Sequence, residues 1–79
     1  MQFKKEVVEA LKREIKICDI GLSKMKRRLQ EFEVKYQMST EEFSKKFEKG
    51  QLSDDQGFFE WNAYIEYYKD WQNRKEALE

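Results

Sequence analysis

Seventy-nine residues make at most one domain, too small to be stable without tight helix packing or association. Sixteen Lys/Arg balance sixteen Asp/Glu, together 41% of the chain, and there is one cysteine but no histidine and no proline. This excludes a disulfide framework and any recognisable zinc ligand set, and it favours long solvated helices over sheets.

From Val8 the apolar residues step by three and four: Val8, Leu11, Ile15, Cys18, Leu22, Met25, Leu29, Phe32, Tyr36. This heptad seam predicts a helix over about residues 2–37, with Phe3 and Val7 extending its apolar edge. Such a helix is roughly 50 Å long, so part of the seam is expected to outrun a partner within the same chain. Gly21 interrupts it at a cost of about 0.5–1 kcal/mol against alanine. Two readings compete there, a close backbone approach and a hinge, and the unbroken phase on both sides favours the first.

Ser39 with Glu42 three residues later has the form of a capping box, opening a short helix over about 40–49 that carries Phe43 and Phe47. Gly50 suits its left-handed C-cap. A second capping box, Ser53 to Gln56 with Asp54 and Asp55 in the first turn, opens a third helix over about 54–77. Phe58, Trp61, Ile65 and Tyr68 repeat the three-four spacing in it, Gln72 falls where the next core residue belongs, and Phe59, Tyr64 and Trp71 widen the aromatic face. The expected fold is all-α: one domain over 1–79, an antiparallel helical hairpin with a short helix at its elbow, dimerising as a helical bundle.

Charge is divided between the arms. Residues 1–37 hold ten Lys/Arg against six Asp/Glu, and residues 38–79 hold six against ten. The plain expectation is that the two halves attract each other and so help to fix the antiparallel register.

Catalysis needs a group that titrates near neutrality, an activated nucleophile or a metal. Without histidine, Ser and Cys lack their usual base, and Cys18 falls on the core seam as a small buried hydrophobe. The carboxylate pairs Glu41–Glu42 and Asp54–Asp55 are explained by helix starts, and Gly21, Gly50 and Gly57 match no phosphate loop. No catalytic, cofactor or metal site is expected, and no small-molecule substrate. Lys24, Lys26, Arg27 and Arg28, with Lys4, Lys5, Lys12, Arg13 and Lys16 on the same helix, do not predict nucleic-acid binding, because the acidic half cancels the field. No apolar run is long enough to span a bilayer and no signal-peptide pattern opens the chain, so the expected location is the cytoplasm.

The expected function is protein–protein interaction. Phe58, Phe59, Trp61, Tyr64, Tyr68 and Trp71 put more ring area on one helix than a hairpin easily covers, and Tyr and Trp are favoured at interfaces. Packing of all six on the first helix or on a dimer mate is the competing reading, and both can hold at once, some rings facing inward and others open to a partner. The seam from Val8 to Phe32 predicts self-association as a homodimer. An alternative reading is a purely structural homo-oligomeric coiled coil or bundle.

Residues 35–43 (KYQMSTEEF), followed by Phe47-Glu48-Lys49-Gly50-Gln51-Leu52-Ser53-Asp54-Asp55 and Phe58-Phe59-Glu60-Trp61, resemble a motif KYxMSxEEF…FExGxLxDD…FxEW. That motif is similar to the one in small all-helical antitoxin-type proteins of prokaryotic toxin–antitoxin pairs. Gln37 stands where such sequences often carry glycine. The resemblance implies a cognate toxin as partner and steric neutralisation, with the six aromatics as anchors and Lys24, Lys26, Arg27 and Arg28 steering toward an acidic rim.

Overall fold

The computed structural model of the protein describes residues 4–79, which form three helices: α1 (Lys5–Tyr36), α2 (Thr40–Glu48) and α3 (Gln56–Leu78). The predicted start of the first helix at residue 2, and Phe3, lie outside the described residues. α1 and α3 pack as an antiparallel hairpin, with α2 laid across the elbow. The molecule measures 55 × 21 × 17 Å, its length set by the 32 residues of α1. The seam packs from Cys18 onward, whereas Val8 and Leu11 remain partly exposed.

The elbow is built from local chemistry. α1 ends at Gln37, which takes a left-handed conformation (φ 52°) and returns its N–H to the Glu33 carbonyl. The Glu33 carboxylate then accepts the Thr40 N–H at 2.7 Å, and Ser39 Oγ accepts that of Glu42 at 3.1 Å, so two of the orphan donors opening α2 are satisfied. α2 closes with Gln51 N–H on the Lys46 carbonyl and Gly50 N–H on the Phe47 carbonyl, a Schellman arrangement made possible by Gly50 at φ 67°.

The start of α3 differs from expectation. Its N-cap is Asp55 rather than Ser53, and the helix begins at Gln56. The Asp55 carboxylate accepts the Gly57 N–H at 2.8 Å and lies 3.5 Å from the Tyr36 hydroxyl, which donates to it. The cap is thereby tied to the end of α1. Gly57 is buried beneath Tyr36, where a β-carbon would overlap the phenol oxygen.

The core is an aromatic stack around Trp61, which is fully enclosed. Phe43 of α2 lies on one side of it at 4.1 Å between ring centroids, nearly parallel, and Phe32 and Tyr36 of α1 lie at 5.7 and 5.8 Å. Trp61 Nε1 donates to Thr40 Oγ1 at 3.4 Å, so its one polar atom is paired. Phe58 and Ile65 complete the buried cluster, with Leu29, Met38, Phe47 and Leu52 at its margin. Truncating a ring so enclosed costs about 3–5 kcal/mol, a large share of what a domain this size can hold. α2 is thus the third wall of the core.

Farther along the hairpin, helix contact depends on a small residue. Gly21 is buried against Trp71, whose Cδ2 and Cε2 lie 2.5 Å from where a β-carbon would stand. The approach at Gly21 is close, but it is made by the Trp71 side chain rather than by the backbone of the other helix that the spacing favours. Arg74 stacks on the indole at 4.7 Å, and Lys75 closes the end by bonding Asp19 at 2.7 Å.

The expectation that opposite charge holds the two arms together is not met. Among the described residues the only ion pair between helices is Lys75–Asp19, and its polarity runs against the division, with the cation on the acidic half. All other pairs are local, three or four residues apart. The apolar seam sets the register, and most charges turn outward.

Candidate interaction surface

α2 covers one side of the α1–α3 layer near the elbow and leaves the opposite side bare. On that bare side a shallow cleft of about 300 Å³ lies between Arg28, Glu31, Phe32 and Lys35 of α1 and Glu60 and Tyr64 of α3. A neighbouring hollow extends it along Lys24, Met25 and Arg27. Tyr64 is tilted against Phe32 at 5.8 Å, and Tyr67 meets Tyr64 edge-on at 6.0 Å. The Trp71 ring, capped by Arg74, is half-buried one turn beyond Tyr67. Half-exposed rings alternate here with guanidinium and ammonium groups, a mixture common in the hot spots of protein interfaces.

The side that α2 partly covers carries a second groove. Leu29, Ile65 and Tyr68 form its apolar floor, and Lys26, Lys69 and Gln72 its rim, up to the start of α2 at Ser39 and Thr40. Gln72, at the position where the spacing calls for a core residue, is exposed beside this groove, beyond the stretch that α2 roofs.

The six aromatics expected to act together are divided among three environments. Phe58 and Trp61 are buried in the chain's own core and cannot meet a partner while the hairpin is intact. Tyr68 lines the α2-side groove, Phe59 is exposed and edge-on to Phe47 of α2, and Tyr64 lines the bare face, with Trp71 at its margin, half-buried against Gly21. The structure adds Tyr67, more than half exposed, which the sequence reading did not single out. Its signal was available: Tyr67 lies off the Phe58–Trp61–Ile65 line by too wide an angle to reach the core.

The seam residues are for the most part covered within the hairpin itself. Cys18 is buried, and Leu22, Met25, Leu29 and Phe32 are half-buried within the hairpin, leaving only Val8, Leu11 and, in part, Ile15 uncovered. Of the basic cluster, Lys24, Arg27 and Arg28 reach the bare face, while Lys26 lies on the α2-side groove.

Electrostatically the clearest perturbation is at Lys75. Its ammonium is held above the ordinary lysine value, first by the hydrogen bond to Asp19 and then by that carboxylate's charge. Among the described residues no cluster of three His, Cys, Asp or Glu could hold a metal ion, and no helix is long and apolar enough to cross a membrane. No family model, curated protein or solved structure matches this chain.

Proposed function

We propose that the chain is a non-enzymatic protein-interaction module that binds and neutralises a partner toxin, docking through the bare face of the α1–α3 hairpin. The observation that carries the docking face is the row Tyr64, Tyr67 and Trp71, half-exposed and interleaved with Lys24, Arg28 and Arg74. Rings of this kind bring large contact area at low entropic cost, and adjacent cations orient an acidic rim. The toxin as partner rests on the resemblance of residues 35–61 to small helical antitoxins. Neutralisation is then steric: the hairpin covers the toxin's active cleft.

The test is co-expression with the protein that co-purifies stoichiometrically, followed by titration of that protein's activity. Tyr64→Ala combined with Tyr67→Ala is expected to weaken binding by roughly 100-fold or more and to restore the partner's activity. The helical circular dichroism should be unchanged. Full inhibition by this double variant would overturn the choice of face, and a partner whose activity is untouched by native chain would overturn the antitoxin reading.

A second reading, self-assembly, is favoured by one observation: the two outer edges of the hairpin carry opposite charge.

A further inference from the structure

We infer that the chain associates with a second copy of itself edge to edge, the outer edge of α1 in one copy packing antiparallel on the outer edge of α3 in the next. This goes beyond the toxin-binding proposal and does not rest on it. It also differs from seam-mediated dimerisation, because the seam is largely consumed inside each hairpin.

The α1 edge lies on the far side of the helix from the Cys18–Leu22–Met25–Leu29 seam. Ile17 and Ile20 stand in its middle, 48% and 50% exposed. Arg13, Lys16 and Lys24 flank them, and none of the three makes a salt bridge among the described residues. Two half-exposed isoleucines among unpaired cations are a poor fit to phosphate backbones, which need no apolar centre. They are also too little apolar surface for membrane insertion. They suit a protein surface with its own apolar centre and acidic flanks.

The outer edge of α3 is such a surface. Tyr67 is 53% exposed and Ala63 half-buried, and Glu60, Glu66 and Asp70 surround them. Among the described residues Glu60 and Asp70 make no salt bridge, and Glu66 has only an exposed contact with Lys69 at 3.7 Å. Helical periodicity fixes how the edges meet. An antiparallel register with Ile20 opposite Ala63 also puts Ile17 opposite Tyr67, Lys16 opposite Glu66, Lys24 opposite Glu60 and Arg13 opposite Asp70. At the far end, where each edge changes sign, Glu9 falls opposite Arg74. The flanks match too, because in an antiparallel pair residues on the same rotational side face each other. A slip of one turn either way sets Ile20 against Glu60, or Arg13 against Arg74, so the charges admit one register. The division of charge that builds no ion pairs within the hairpin thus builds them between hairpins.

The contact is heterologous: each copy offers two different edges, so association continues beyond two copies rather than closing as a symmetric pair. That property supplies the test. The native chain is compared by sedimentation velocity with an α1-edge variant, Ile20→Glu/Lys24→Glu, and an α3-edge variant, Glu66→Lys/Asp70→Lys. Circular dichroism confirms that all three are helical, and the changed residues are exposed. The expected result is concentration-dependent growth of the native chain, with self-association weakened at least about tenfold in each variant alone. An equimolar mixture of the variants should form a 1:1 pair and stop there, since one intact α1 edge meets one intact α3 edge. A native chain that is still monomeric at about 1 mM, where even weak specific contacts are populated, would overturn the inference. So would variants that fail to pair with each other, or a native assembly that closes at two copies.

Discussion

Adding a single methyl group at Gly21 separates a close approach from a hinge. In an isolated helix Gly→Ala stabilises by about 1 kcal/mol. Here the new β-carbon would stand 2.5 Å from two indole carbons of Trp71 and 2.9 Å from a third, Cζ2. Ordinary carbon contacts are about 3.5–4.0 Å, so the ring must retreat by roughly 1 Å. It cannot do so freely, because Arg74 stacks on it at 4.7 Å and the Lys75–Asp19 bond pins the next turn. Overpacking of this kind costs about 1–3 kcal/mol, which exceeds the helix gain. Gly21→Ala is therefore expected to destabilise the native chain by about 1 kcal/mol. In a Trp71→Ala background the obstacle is gone, and the same change should stabilise by up to about 1 kcal/mol. The double-mutant cycle then yields a coupling of about 2 kcal/mol from urea unfolding followed by far-ultraviolet circular dichroism. Equal stabilisation in both backgrounds would refute the reasoning and make Gly21 a helix defect rather than a contact.

Two further predictions concern the ends of the hairpin. Gln37 holds a left-handed conformation that costs a residue with a β-carbon about 1–2 kcal/mol, so Gln37→Gly should raise stability by about 0.5–1 kcal/mol after glycine's entropic cost. A lower urea midpoint would contradict this. At the other end, Lys75 has a raised folded-state pKa, so its contribution is complete below the unfolded lysine value of about 10.4 and is lost as pH rises through the folded value. The stability difference between native chain and Lys75→Met should stay level from about pH 7 to 10 and vanish above that. A difference that disappears by pH 8 would show that the Asp19 bond is not its source.

The fold was legible because each of its elements is written in local chemistry. The seam from Cys18 to Tyr36, the Ser39 cap and Gly50 at the end of α2 all fall where spacing and capping place them. The start of α3 was not legible, since Ser53 and Asp55 are both competent caps, and the cap that forms also meets the Tyr36 hydroxyl, nineteen residues away. Gly57 was unreadable for the same reason: its role is to leave room for that phenol. Which of the six aromatics face inward was not legible, because spacing identifies a ring's helix face but not what lies over it, and over Phe58 and Trp61 lies Phe43 of α2. Charge misled differently. Totals per half carry no angular information, and Arg13, Lys16 and Lys24 are exposed and make no ion pair with the acidic arm among the described residues.

The two proposed uses of the hairpin are not independent: Tyr67, Lys24 and Arg74 serve both, and Tyr67 shows the coupling most directly. It packs edge-on against Tyr64 in the row that forms the bare face, and it also stands opposite Ile17 in the edge register. A partner seated on the bare face desolvates one side of that ring, while a neighbouring hairpin covers the other. With about half of the side chain exposed in the free chain, there is not area for both to close fully. Binding free energies couple reciprocally, so whatever a seated partner takes from the edge contact, self-association takes equally from the partner. On these two proposals the assembled form is a reservoir in which the aromatic row is partly covered, and a tightly bound partner draws single hairpins from it.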